Sequence, residues 1–138
     1  CYCELFAGDE GLVLYSNAGH CKPVHYHAST KRCSELAVTG PVIGLVPDAQ
    51  FSVTNTNIMA GDILVLYTDG ITEANDGDVE YLEERLMRVI ETHAESSAKT
   101  ICLNILQDVQ KFSSHGVYSD DKTVVVIKRE SEGAPAHD

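Results

Sequence analysis

The sequence predicts an α+β fold in which antiparallel sheets carry helices on an outer face. Three observations predict it. Short apolar runs with strand-like alternation fill the first half of the chain in a block. Two one-sided helical patterns then follow each other directly. A last apolar run, TVVVIK at 123–128, returns as a strand. Strands in blocks beside adjacent helices argue against alternating βαβ units. The 138 residues, 43% hydrophobic and 22% charged, suffice for one domain with a core. No internal repeat or linker interrupts it, so the domain is placed over 1–129, with a frayed tail over 130–138.

Each element follows from local pattern. CYCELFAGDEGLVLYSNAGH reads as a β-hairpin around GDEG, and Asn17 to His20 break its second strand. PVHYHA (23–28) is a short strand, followed by a polar stretch, STKRCSE. TGPVIGLVPDA, rich in Gly and Pro, is an ordered loop. QFSVTNTNI (50–58) alternates as a half-buried strand. AGD turns the chain into ILVLYT (63–68), a nearly continuous apolar strand buried on both faces. Asp78 can cap a helix running to about His93, with Val79, Leu82, Leu86, Val89 and Ile90 on one face. Ser96 or Ser97 can cap a second helix, whose stripe is Ala98, Ile101, Cys102, Ile105, Leu106, Val109 and Phe112. TVVVIK closes the fold as a buried strand.

The formal net charge of -11 repels nucleic acid and anionic membranes, and sets both aside as partners. It also disfavours a phosphorylated substrate unless metal cations reverse the field locally. The five cysteines are odd in number and form no CxxC pair, which argues against a zinc ribbon or a thioredoxin motif. Free thiols in a reducing cytoplasm are the plain reading. No apolar run approaches the roughly 20 residues of a membrane span. CYCELF opens as a strand already under way, without an initiator Met, so the sequence reads as an excerpt from a longer protein.

Two acidic loops adjoin apolar strands. Asp69 ends ILVLYT, and Asp120 and Asp121 precede TVVVIK. If these strands pair antiparallel, Asp69 faces Asp120 at roughly 4–6 Å, the spacing of carboxylates that share a cation. The plain alternative is an Asx turn at Asp69 and a solvated loop at Asp120 and Asp121. Against it, two carboxylates about 4 Å apart repel by roughly 4 kcal/mol at an effective dielectric near 20. The nearest basic residue in sequence is Lys122. An all-oxygen donor set suits Mg²⁺ or Mn²⁺ better than zinc. A calcium loop over 69–80 fails, because Ile71 and Glu73 hold its third and fifth positions and Ala74 stands where Gly is required.

SNAGH (16–20) is the third feature. Gly19 suits a tight turn or a close backbone approach, and His20 is open to surface, core and ligand readings. The remaining histidines, His25, His27, His93, His115 and His137, show no metal spacing. GxSxG, Walker and GxGxxG motifs are absent.

YSNAGHCKPVHYH, GPVIGLVPDAQF, MAGDILVLYTDGITEAND and SDDKTVVVIK, in this order and spacing, resemble the SpoIIE/RsbU-like serine phosphatases of the metal-dependent protein phosphatase 2C superfamily. The resemblance covers the chain from about Leu12 to Lys128. It implies a β-sandwich of two antiparallel sheets with helices outside, and a centre of two Mn²⁺ or Mg²⁺ ions that activates water for in-line attack on phosphorus. Carried over by residue, it implies that Asp69 of TDG and Asp120 of DDKT are metal ligands. Asp121 stands beside them rather than on the metal, and Gly70, His20 and Glu73 are weaker candidates near the ions. One departure is plain: the Gly-Asp motif whose Asp bridges both metals has no counterpart. Gly8–Asp9, Gly61–Asp62 and Gly77–Asp78 lie in or beside turns and in the wrong order. The expectation is therefore a partial domain lacking its N-terminal half.

The implied activity is hydrolysis of phosphoserine or phosphothreonine on an anti-anti-sigma-factor-type protein in bacterial partner-switching. The parent chain would carry an upstream sensory or receiver domain and form a homodimer. The rival reading is an inactive relative that binds a phosphoprotein or dimerises, and the plainest is an acidic domain with no metal.

Overall fold

The computed structural model describes residues 2–5, 11–113 and 121–130, with side chains from residue 11 onward. Two antiparallel sheets face each other. The first has the order β1 (Tyr2–Leu5), β2 (Leu12–Ser16), β5 (Thr54–Asn57); the second has the order β4 (Arg32–Glu35), β3 (Val24–His27), β6 (Ile63–Tyr67), β9 (Val124–Lys128). Between β6 and β9 lie a one-turn helix α1 (Asp69–Thr72), a small hairpin of β7 (Asn75–Asp76) and β8 (Val79–Glu80), and helices α2 (Leu82–Thr92) and α3 (Ala98–Phe112).

The second sheet explains why ILVLY is apolar throughout. Ile63, Val65 and Tyr67 pack toward the helices with Val24, Tyr26, Leu86, Ile90, Ile101, Ile105 and Val109. Leu64 turns the other way, into a core between the sheets with Val13, Tyr15, Leu36 and Ile58. A strand that feeds two cores has no polar face. β9 is an edge strand and only half-buried, with Val125 exposed, so the expected full burial of TVVVIK does not hold.

The helices lie on the second sheet alone. Among the described residues, no helix covers the outer face of the first. Ser97 caps α3 by accepting a hydrogen bond from the Thr100 N–H, as the sequence predicts. The expected start of α2 at Asp78 is corrected. Residues 75–80 form the β7–β8 hairpin, and α2 begins only at Leu82, whose φ is 60°. Tyr81 therefore takes the buried place, while Val79 and Leu82 are exposed. Its hydroxyl donates to Asp108 at 2.8 Å, which also accepts from Arg85 Nε at 3.0 Å and ties α2 to α3.

Two further expectations change. STKRCSE contains β4, which pairs with β3 in the register Val24↔Glu35 to His27↔Arg32. As an edge strand it tolerates charge, which hid it from a reading by hydrophobic pattern. The strand expected over 50–58 shortens to β5, and residues 50–53 stay outside it. TGPVIGLVPDA is a loop as read, with Ile43 and Leu45 exposed. Most of the GDEG turn, His115, Asp120, His137 and the tail beyond residue 130 lie outside the described residues. Among the described residues no helix is long and apolar enough to cross a membrane.

Candidate functional site

β6 and β9 run antiparallel from Ile63↔Lys128 to Tyr67↔Val124. The next residues lock the pair. Thr68 N–H donates to the Thr123 carbonyl at 3.1 Å, and Thr123 N–H donates to Thr68 Oγ1 at 3.0 Å. The Thr68 hydroxyl donates in turn to the Asp121 carbonyl at 3.1 Å. Asp69, one residue beyond Thr68, and Asp121 are thus carried at the same end of the sandwich, and both are exposed. The expected approach of Asp69 to Asp120 concerns a residue outside the described set.

Asp69 opens α1. Its Oδ1 accepts the Gly70 N–H at 3.0 Å, so the Asx-type contact expected of an acid at a turn is present. Its Oδ2 makes no hydrogen bond among the described residues. Gly70, Ile71 and Thr72 are buried beneath it, which fixes the turn. Glu73 closes α1 through its N–H to the Asp69 carbonyl at 2.8 Å, and one turn of helix sets it on the same edge as Asp69.

The 17–21 loop lies within electrostatic reach of this edge. Cys21 reports the proximity: burial pushes its thiol above the ordinary cysteine value, and the negative charges of Asp69, Glu83 and Glu73 push it further, against its own backbone hydrogen bond. Fully buried Asn17 holds the loop. Its Oδ1 accepts the His20 N–H at 2.8 Å, and its Nδ2 donates to the His20 and Cys21 carbonyls at 3.0 and 3.3 Å. Gly19 bears out its expected role, at φ +75° with Val42 so close that a Cβ would lie 2.4 Å from it. The His20 ring is exposed, with its Nδ1 3.3 Å from the Cys21 carbonyl. Among the described residues, neither a hydrogen bond nor an ion pair joins it to Asp69.

The chemistry of the donors fits a hard cation. Ion pairs join Lys22 to Glu35, Arg32 to Glu91, Arg85 to Asp108 and His25 to Asp62, and among the described residues none reaches Asp69, Glu73 or Glu83. Several carboxylates without a basic partner, offering only oxygen, suit Mg²⁺ or Mn²⁺.

Three residues of this end were missed from sequence: Thr68, Thr123 and Asn17. Each adjoins or lies inside a motif that was singled out, which was the available signal. At the other end of β6 the reading of the histidines is corrected. His25, His27 and Asp62 offer ligand atoms that all lie within 4.8 Å of one another. The signal was His-x-His on a strand, which places both rings on one face.

Comparison with known proteins agrees with this architecture. The family described as Stage II sporulation protein E (SpoIIE) matches residues 1–130. Protein IcfG of Synechocystis sp. is 33% identical over 136 residues, which cover 93% of this chain and 21% of that protein. Phosphoserine phosphatase RsbU of Bacillus subtilis is 28% identical over 121 residues, 88% of this chain and 36% of that protein. The chain thus spans about a fifth and about a third of these two relatives. The phosphatase domain of the cell-fate determinant SpoIIE from Bacillus subtilis, presoaked with Mn, superposes with a TM-score of 0.74 at 18% identity, over 99% of this chain and 58% of that one. That protein's phosphatase domain is also described as a PP2C domain. The chain belongs to the SpoIIE family, and its paired antiparallel sheets with flanking helices are part of a protein phosphatase 2C fold.

Proposed function

We propose that this chain is the C-terminal part of the catalytic domain of a metal-dependent protein serine/threonine phosphatase. The Thr68–Thr123 lock supports this reading, because it carries Asp69 and Asp121 at one end of the sandwich, and among the described residues no ion pair reaches Asp69, Glu73 or Glu83. Asp69 and Asp120 would hold Mn²⁺ or Mg²⁺, with Asp121 beside them and Gly70, His20 and Glu73 at the margin. When bound, the cations supply Lewis acidity toward phosphoryl oxygens and a water acidic enough to attack phosphorus near neutral pH. The chain's own part is to hold charge in place. Buried Gly70, Ile71 and Thr72 anchor the turn that presents Asp69, and Thr68 aligns it with the strand that Asp121 precedes. Glu73 and Glu83 deepen the negative potential that draws cations in.

The substrate class we propose is phosphoserine or phosphothreonine on an anti-anti-sigma-factor-type regulator of bacterial partner-switching. An upstream sensory or receiver domain and a homodimeric parent belong to the same proposal, as does a cytoplasmic location, which the free thiols of Cys21, Cys33 and Cys102 support. The test is Mn²⁺-dependent dephosphorylation of such a regulator by the complete parent enzyme and by its Asp69→Asn variant. Turnover lost in the variant and in excess chelator supports the reading. Binding of the phosphorylated regulator without any turnover would favour the inactive relative instead.

A further inference from the structure

β6 has an acid at each end. Asp69 follows it, and Asp62 precedes it, roughly 20 Å away at about 3.3 Å per residue. The two ends differ chemically. Val24 and Tyr26 of β3 pack into the helix-side core, so the alternate residues His25 and His27 share the opposite face. β3 pairs with β6 through Tyr26↔Ile63, and one further step of that register sets His27 opposite Asp62. The rings of His25 and His27 lie 3.9 Å apart, and His25 Nε2 is 3.0 Å from Asp62 Oδ2.

We propose that His25, His27 and Asp62 form a second metal site, distinct from the acidic end, that takes a borderline divalent cation such as Zn²⁺. One ring nitrogen from each histidine and one carboxylate oxygen already lie within 4.8 Å of one another. The 3.0 Å from His25 Nε2 to Asp62 Oδ2 suits two neighbouring ligands of one ion about 2.1 Å from each. Two imidazoles and a carboxylate favour Zn²⁺, Co²⁺ or Ni²⁺ over Mg²⁺. The carboxylate is oriented from behind: Ala28 N–H donates to its Oδ1 at 2.7 Å and Met59 N–H to its Oδ2 at 3.0 Å. Such outer hydrogen bonds hold a metal-binding carboxylate in place. His27 is half-buried and gives an ion a way in, and its Nε2 lies 2.8 Å from Ser34 Oγ.

The plainer account is a hydrogen-bonded core pair that ties β3 to the turn before β6. That account does not explain why the His27 ring, a third donor, converges on the same pair. His25 is 1% exposed and its Nδ1 is enclosed without a hydrogen-bond partner, which leaves Nε2 as the nitrogen turned to Asp62. A bound cation would also clip β3 to that turn at the end of the sandwich remote from Asp69.

Titrating the tag-free chain with Co²⁺, and then competing with Zn²⁺ or Mg²⁺, tests the site through visible absorption. The expected result is one Co²⁺ per chain, displaced by Zn²⁺ and retained in excess Mg²⁺. Asp69→Asn should leave this signal unchanged, and His27→Ala should weaken Co²⁺ binding by at least about 10-fold. Should His27→Ala fail to fold by circular dichroism, His27→Gln carries the same test. Equal affinity in a folded His27 variant, displacement by Mg²⁺, or no saturable signal from the folded parent would overturn the proposal. None of these readouts depends on phosphatase activity, so this site and the one at Asp69 stand or fall separately.

Discussion

Thr68 and Thr123 exchange backbone and side-chain hydrogen bonds across the last rung between β6 and β9, at 3.1 and 3.0 Å. They set the relative position of the two acidic segments. Thr68→Val keeps the side-chain shape and removes both roles of the hydroxyl. It should cost about 0.5–1.5 kcal/mol per hydrogen bond lost, read as a lower thermal midpoint. In the parent enzyme, Mn²⁺ affinity should fall as well. A variant with normal stability and normal Mn²⁺ affinity would show that the lock does not position the site.

Asp69 is exposed, and its contact with the Gly70 N–H can be kept by an amide oxygen. Asp69→Asn should therefore fold with an unchanged thermal midpoint. In the complete enzyme it should lose about 100-fold or more of the Mn²⁺-dependent turnover, beyond what loss of an outer support costs a metal site. A phosphopeptide assay beside thermal melts separates the two effects. Activity at the parental level would remove Asp69 from the ligand set.

The His25–Asp62 pair should make the chain acid-sensitive. Burial pushes His25 below the ordinary histidine range, the nearby His27 pushes the same way, and the hydrogen bond to Asp62 opposes without reversing it. Burial would raise Asp62, but the N–H groups of Ala28 and Met59 and the His25 ring hold it below the ordinary range. Both shifts have the same consequence, since the unfolded chain binds more protons. The His25 contribution is complete above about pH 6.5 and is lost as pH falls through its lower folded value. The Asp62 contribution is complete above about pH 3.9 and is lost below that. Urea melts between pH 8 and 4 should show stability falling below about pH 6.5, and His25→Gln should flatten that upper part.

Asn17 is enclosed, and its amide makes three hydrogen bonds to the backbone of the 17–21 loop. Asn17→Ala should destabilise by about 1–3 kcal/mol, because it leaves loop polar groups without partners. Faster amide exchange at His20 should accompany the loss. Unchanged exchange there would mean that the loop holds itself.

The 138-residue chain alone should show no phosphatase turnover. Two-metal chemistry needs a ligand shared between the ions, and Asp62, of Gly61–Asp62, is buried at the far end of β6. Ile43, Leu45 and Val53 are also 75%, 71% and 62% exposed along one loop, and such a surface favours self-association. Phosphopeptide assay and light scattering check both statements. Robust turnover by a monomer would relocate the site.

What the sequence by itself determined was whatever local pattern controls. Period-2 and continuous apolar runs located β2, β3 and β6, and a 3.6-residue stripe with Ser97 before it located α3. The motifs placed Asp69 and the Asp120–Asp121 pair at strand ends, with Asp69 facing Asp120 if β6 and β9 paired. Tertiary structure decided the rest. β4 is polar because it lies at a sheet edge, and a hydrophobic pattern cannot show that. The start of α2 moved because the β7–β8 hairpin and the burial of Tyr81 outweighed the helical stripe through Val79 and Leu82. His25, His27 and Asp62 meet only through the register of β3 on β6, across more than thirty residues of chain. Pairing between distant strands is set by the whole packed sandwich, so no local pattern carries it.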